Sequence, residues 1–191
     1  SAGCALYYVN KNFNGRIEHI KSLSLLKRDG IMCLDAFTIR NLEIFQSLST
    51  QGIHGTLVDT IDQTITGSGS RLLKNWLRQP LTDTEKINER LDRISECIDR
   101  PKMLETLKSN LKETSDLERI IARVASGKAN PRDVINAGNT LAKVPIIQKA
   151  VKKGSHVLKQ LVSQCANTAP ITQSILSTIQ EDPPATTQNG R

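Results

Sequence analysis

Residues able to do chemistry are few in this chain and mostly far apart. Gly67-Ser68-Gly69-Ser70-Arg71 is the nearest approach to a phosphate-cradling loop. A Walker loop needs Gly-x-x-x-x-Gly-Lys-Ser/Thr after a strand. This stretch lacks the spacing, the lysine and a clear preceding strand, so it reads as a helix start that could at most hold a stray anion. The three histidines, His19, His54 and His156, stand alone in their segments, each a surface or turn residue rather than part of a nucleophilic triad or metal set. Asp59 and Asp62, three apart, have the spacing of an acid–base pair and equally that of an ordinary solvated helix face. Lys149, Lys152, Lys153 and Lys159 form a basic stripe that either touches phosphates or is simply solvated. No constellation here marks an enzyme.

Composition narrows the classes further. The chain has 191 residues, 26 Lys and Arg against 19 Asp and Glu, and a net charge of +7. Only six residues are aromatic (Tyr7, Tyr8, Phe13, Phe37, Phe45, Trp76), and the 115 residues after Trp76 contain none. A stacking platform for single-stranded nucleic acid therefore has no material over more than half the chain. No apolar run approaches the ~20 residues that span a bilayer, and the N-terminus lacks the order of a signal peptide. Ser1-Ala2-Gly3 looks like the start of an excised segment. Cys4, Cys33, Cys97 and Cys165 contain no Cys-x-x-Cys and are expected to be reduced, partly buried thiols of a cytoplasmic protein, with disulfides the alternative.

The elements that would position these residues are mainly helical. Ala2 to Asn10 is a short helix, and Arg16 to Leu26 alternates weakly before a turn at Lys27-Arg28-Asp29-Gly30. Ile31-Met32-Cys33-Leu34 is expected to be one buried strand, and Thr38 to Leu48 fits neither period, giving a small β element near residues 31–45. From Thr56 onward the pattern is helical. Leu57, Val58, Ile61 and Ile65 share a face, and Leu72, Leu73, Trp76 and Leu77 form a stripe that Pro80 stops. Ser68 or Ser70 is the expected N-cap of that helix. Thr82 to Glu85 resembles a capping box ahead of Ile87, Leu91, Ile94 and Ile98. Further helices carry Leu104, Leu107 and Leu111, then Leu117, Ile120, Ile121 and Val124. The pattern runs from Val134 across Pro145 to Val151, then through Val157 to Val162 and Ile171 to Ile179. Glu181 to Arg191 has the composition of a linker or disordered tail.

Several segments, in order, resemble the MutS family of DNA mismatch-recognition ATPases. Ala2 to Val9 is similar to the family helix that leaves the connector domain. Leu34-Asp35-Ala36-Phe37-Thr38-Ile39-Arg40-Asn41-Leu42-Glu43 is similar to the family's LD-x-x-T-x-R-N-L-E hallmark. Gly69-Ser70-Arg71-Leu72-Leu73-Lys74-Asn75-Trp76-Leu77-Arg78-Gln79-Pro80-Leu81 resembles G-x-R-L-L-x-x-W-L-x-x-P-L, the most specific stretch. Arg90-Leu91, then Asp116-Leu117-Glu118-Arg119 with Arg123, and Asn130-Pro131-Arg132-Asp133 continue it. The family usually carries Pro-Met before the Gly-x-Arg, where this chain has Gly67-Ser68.

The resemblance implies residues 1–30 as a connector-to-core helix and linker, and 31–180 as a helical core domain with the first lever segment. Residues 181–191 would be a polar linker toward a clamp domain. It implies a body that transmits conformational change between a DNA clamp and an ATPase domain, with no catalytic, cofactor or metal residue of its own. ATP and Mg²⁺, mismatched duplex DNA, a homodimer and a MutL-type partner are expectations for the parent protein, and no membrane is involved. Leu72, Leu73, Trp76, Leu77, Leu117, Ile120 and Ile121 are the expected core. Asp116, Glu118, Arg119 and Arg123, with Arg40 and Glu43, are expected to form internal ion pairs. Two other readings remain: an autonomous basic helical module that binds duplex DNA nonspecifically, and the core of a family relative working outside mismatch repair.

Overall fold

The computed structural model describes residues 2–12, 22, 30–154 and 157–184. The chain divides into two compact units, residues 1–30 and 31–191. In the first, helix α1 (Ala2–Asn12) leaves Tyr7 and Tyr8 exposed. Most of the segment from Phe13 to Asp29, with His19, lies outside the described residues, as do His156 and Ala185 to Arg191.

The second unit is helical, in agreement with the reading from periodicity. Its β element shrinks to one antiparallel bridge, Ile31 with Leu81, supported by the Met32 amide donating to the Pro80 carbonyl at 2.7 Å. Met32 and Cys33 are exposed, so the expected buried strand is an extended edge instead. Four consecutive apolar residues fit a strand or a short tether equally well, and only a pairing partner decides between them. Helix α2 (Ala36–Asn41) occupies part of the stretch whose period was mixed. A loop with left-handed residues at Glu43 (φ 46°) and Gln51 (φ 57°) leads to α3 (Leu57–Ile61). There Val58 is buried, while Leu57, Ile61 and Ile65 stay exposed.

Helix α4 (Gly67–Arg78) starts from Thr66, whose hydroxyl accepts the Gly69 amide at 3.0 Å. Thr66, and not Ser68 or Ser70, is therefore the cap. Ser70 donates instead to Asp62 at 2.6 Å, an acceptor eight residues back that spacing rules for caps do not reach. Helix α5 (Thr84–Ile98) is capped by Asp83, which accepts the Glu85 and Lys86 amides. Pro101 closes it and opens α6 (Pro101–Lys112), its ring being tolerated in a first turn. Helix α7 (Leu117–Ala125) ends on Gly127 (φ 67°), whose left-handed backbone lets the Lys128 amide return to the Arg123 carbonyl at 2.9 Å.

Helix α8 (Pro131–Gly154) is the hub, packing on α6, α7, α9 (Leu158–Ser163) and α10 (Ala169–Thr178). It opens with a reciprocal cap. The Asn130 side chain accepts the Asp133 amide at 2.8 Å, and the Asp133 carboxylate accepts the Asn130 amide at 3.1 Å. Pro145 lies inside α8 and has no amide hydrogen, so the Leu141 carbonyl loses its helical donor. The Thr168 hydroxyl, at the start of α10, supplies one at 3.1 Å. Gly138 lets α10 come close, since a Cβ there would stand 2.7 Å from Ile175 Cγ2.

The core surrounds this hub: Met103, Ile120, Ile135, Val151 and Val162 are buried, with Ile44 and Val58 buried nearer the N-terminal end. Of the expected core only Ile120 is buried. Leu72, Trp76 and Ile121 are exposed and Leu73, Leu77 and Leu117 are half-buried. Periodicity marks the apolar face of a helix but not what covers it. The tail also differs from expectation at its start. Pro183 is buried, and its carbonyl accepts Arg132 Nε at 3.0 Å.

Candidate functional site

The residues of the most specific sequence stretch meet a second stretch 45 positions further on. Arg71 stands in the second turn of α4, and Asp116 is the N-cap of α7, its carboxylate accepting the Arg119 amide. Arg71 Nη1 and Nη2 bond the two Asp116 oxygens at 2.7 and 2.8 Å, a planar two-point fork. Its Nε donates to Glu118 Oε2 at 3.0 Å, and Nη2 also reaches that carboxylate. Arg119 closes the cluster from the other side, 3.3 Å from Asp116. Arginine suits such a place because its guanidinium is flat and always charged.

Charge follows from this geometry. The Arg71 hydrogen bonds hold the Asp116 carboxyl well below the usual range, at about 2, outweighing the opposing effect of burial. Asp116 and then Glu118 push Arg71 further above its ordinary value. A carboxylate so saturated is a poor base, and the cluster works as a lock between two helix starts. Behind it, Arg123 Nη2 lies 3.0 Å from the buried Asp133. That contact ties α7 to the capped start of α8, so α4, α7 and α8 are joined by a chain of charged contacts.

The expectation of internal ion pairs therefore holds for Asp116, Glu118, Arg119 and Arg123, but with different partners. Only Arg119–Asp116 is a short-range helical pair. Arg71 and Asp133, the dominant partners, come from other elements. Glu43 departs from it. Its carboxylate accepts the Ser47 hydroxyl at 3.2 Å and the Leu48 amide, closing a loop rather than pairing with a cation. Arg40 is exposed and forms no ion pair among the described residues.

The other hallmark residues fall into local roles. Asp35 caps α2, accepting the Thr38 amide at 2.7 Å, and Thr38 holds its carboxyl below the usual range. Leu34 is half-buried ahead of that cap, while Asn41 and Leu42 are exposed at the helix end. Gly69 has no room for a side chain, since a Cβ would meet the Thr66 hydroxyl at 2.9 Å. Pro80 and Leu81 hold the edge against Met32 and Ile31. Arg90 stacks over the Trp76 ring at 4.0 Å, joining α5 to α4, while its neighbour Leu91 is exposed.

Residues tested for other chemistry resolve locally. Asp62 accepts Ser70 Oγ and the amide and hydroxyl of Thr64, which hold its carboxyl low and place an anion of the chain's own at the start of α4. Asp59 accepts the Gly55 amide at 3.0 Å and lies 3.1 Å from the exposed His54. Cys4, Cys33 and Cys165 are exposed rather than partly buried, and burial pushes the Cys97 thiol up. Among the described residues no three His, Cys, Asp or Glu side chains gather as a metal site. No described helix is long and apolar enough to cross a membrane.

Sequence reasoning placed Asp133 in a family stretch without giving it a role, and missed Glu96 and Thr168. The Asn-Pro-x-Asp order at 130–133 carried a usable capping signal. Glu96 accepts the Val157 and Leu158 amides at 3.2 and 3.4 Å, and no local pattern announces a cap supplied from 61 residues away.

Residues 37–191 match the family model described as MutS domain III. The DNA mismatch repair protein MutS of Christiangramia forsetii is 36% identical over 191 residues, which is 100% of this chain and 22% of that protein. The protein of the same name from Flavobacterium johnsoniae is 34% identical over the same share of each. That of Geobacillus sp. is 32% identical over 98% of this chain and 22% of its own length. The chain thus spans about a fifth of the length of these relatives.

Proposed function

This chain belongs to the MutS family through its domain III, and from that premise we propose that it is the stiff helical body joining the DNA-gripping part of a mismatch repair protein to the part that hydrolyses ATP. The protein that contains it would bind mismatched duplex DNA, use ATP with Mg²⁺, act as a homodimer with a MutL-type partner, and work in the cytoplasm. Within it, residues 31–180 are the core with the first lever segment, residues 1–30 lead in from a connector, and residues 181–191 lead toward a clamp. This chain itself would contribute rigidity rather than a reacting group.

The observation that carries the reading is the Arg71–Asp116 fork. It fastens α4 to α7 at a point, and Arg123–Asp133 fastens α7 to the hub helix. Packed bodies linked by discrete contacts move as units and have few intermediate arrangements, which is what transmission over a distance requires. The hallmark residues Gly69, Arg71, Asp116 and Glu118 are then positioning residues of that body.

The test is made in the whole protein. Replacing Arg71 by Ala should leave separate ATP and DNA affinities within about threefold. It should cut the stimulation of ATP turnover by mismatched duplex about fivefold or more, the lower end of ordinary coupling energies. Lysine at the same position should rescue only part, since it offers one point charge and no fork. A folded Arg71→Ala protein with full stimulation would overturn the proposal.

A further inference from the structure

Charge is unevenly spread over the chain. Between Lys128 and Gln180 stand seven Lys and Arg residues and a single acidic residue, Asp133, so six of the seven net positive charges fall in the stretch that builds α8, α9 and α10. Some are neutralised at home: Lys143 pairs with Glu113, and Arg132 bonds the Pro183 carbonyl with Asp182 3.9 Å away. Asp133 is already engaged by Arg123 and by its cap. Lys149 and Lys152 on α8 and Lys159 on α9 are exposed, and none enters an ion pair among the described residues.

The fold gathers these three. Lys149 and Lys152 are neighbours on one helical stripe. Gln148 donates to the Val162 and Cys165 carbonyls, both at 3.4 Å, so the end of α9 lies beside Gln148 and its start lies toward the last turns of α8. Lys159, in the first turn of α9, therefore lies toward the last turns of α8 that carry Lys152, and Val151 and Val162 on the two helices are buried. The carboxylate at this corner, Glu96, is engaged with the Val157 and Leu158 amides and lies 3.8 Å from Arg100. Helix dipoles account for only part of the placement. Lysines suit the last turns of α8, but Lys159 sits in the first turn of α9, where a cation is disfavoured.

We propose that the corner formed by Lys149, Lys152 and Lys159 is a contact surface for the sugar-phosphate backbone of duplex DNA. The choice of DNA among polyanions rests on the mismatch-repair reading above. Lysines are flexible point charges that pair with phosphates at any sequence, so the contact positions the duplex without reading bases. No aromatic residue follows Trp76, so unpaired bases find nothing to stack on here. The contact is weak, sensitive to salt and blind to mismatches.

The test follows fluorescence anisotropy of a labelled 30-base-pair duplex with this 191-residue chain across a salt series. The variant Lys149→Gln with Lys152→Gln and Lys159→Gln is compared with an equally neutralised control, Lys102→Gln with Lys108→Gln and Lys112→Gln on exposed α6 positions. Glutamine keeps helix propensity, and circular dichroism confirms that both variants fold. The corner variant should bind at least tenfold more weakly at low salt and lose about 2–3 from the slope of log affinity against log salt, near 0.9 per phosphate. The control slope should change by less than about 1. Equal losses in both would show that binding follows net charge alone and would overturn the proposal. Displacement of the duplex by polyglutamate at matched charge would overturn it too, assigning the corner to an acidic protein. Coupling of ATP turnover to DNA is read separately through Arg71 in the whole protein, so either reading can fail alone.

Discussion

Helix α8 has the less regular apolar pattern and the α4–α5 pair the sharper one, yet the apolar residues of α8 are the better covered. Along α8 most apolar residues are covered, with Ile146 an exposed exception: Ile135 and Val151 are buried, and α6, α7, α9 and α10 pack on the helix. Along α4 and α5 the stripe is largely bare, with Leu72 50%, Leu91 53%, Ile94 51% and Ile98 67% exposed. The two helices are held instead by polar and ring contacts, Arg71 on Asp116 and Arg90 over Trp76. Covered apolar surface supplies stability in bulk, whereas charged contacts supply direction and register.

The largest effect should come from cutting into the packed hub. Ile135→Ala should cost about 2–5 kcal/mol by the lost burial and the cavity it leaves. Leu91→Ala, at an equally apolar position on an uncovered face, should stay within about 0.5 kcal/mol. Urea unfolding of the two variants measures both, and similar losses would break the contrast.

A smaller effect tests how tightly the hub is packed. Gly138→Ala adds a methyl 2.7 Å from Ile175 Cγ2 and 3.3 Å from Leu176 Cδ2. Overpacking costs about 1–3 kcal/mol, and the helical preference of Ala over Gly returns up to about 1 kcal/mol. A net loss on the order of 1 kcal/mol is expected, relieved by a second change, Ile175→Ala. A net gain would mean that α10 yields easily and that the hub is looser than its buried residues indicate.

The smallest effect concerns the fork, and pH reveals it. Asp116 titrates at about 2 in the folded chain and near its ordinary 3.8 when unfolded, so it adds stability above pH 3.8 that is lost as pH falls through 2. Asparagine keeps the N-cap and removes the charge. Asp116→Asn should therefore melt below the parent chain at pH 7, and the two melting temperatures should converge as pH drops from 4 to 2. Parallel curves over that range would show that the fork contributes nothing to stability.

Much of this fold was legible because helices announce themselves locally. The stripe at Ile87 to Ile98, the breaks at Pro80 and Pro101, and the capping segment Thr82 to Glu85 all act within a few residues. The apolar run at Ile31 to Leu34 was ambiguous for the same reason: its state depends on Leu81, fifty residues away. The candidate site was legible as a set of residue types and illegible as a set of pairs. Asp116, Glu118 and Arg119 stand together in the sequence, but nothing near them points to Arg71.

The helical class, most helix positions and the uneven charge were fixed by short-range periodicity, capping and composition, and the motifs at Leu34 to Glu43 and Gly69 to Leu81 carried the likeness to the family. The tertiary structure alone decided which apolar stripes are covered, which carboxylate Arg71 grips, and how the carbonyl left bare by Pro145 finds the Thr168 hydroxyl. Each of those depends on groups far apart in the chain, whose meeting is fixed by how helices pack and by the requirement that buried polar groups be paired.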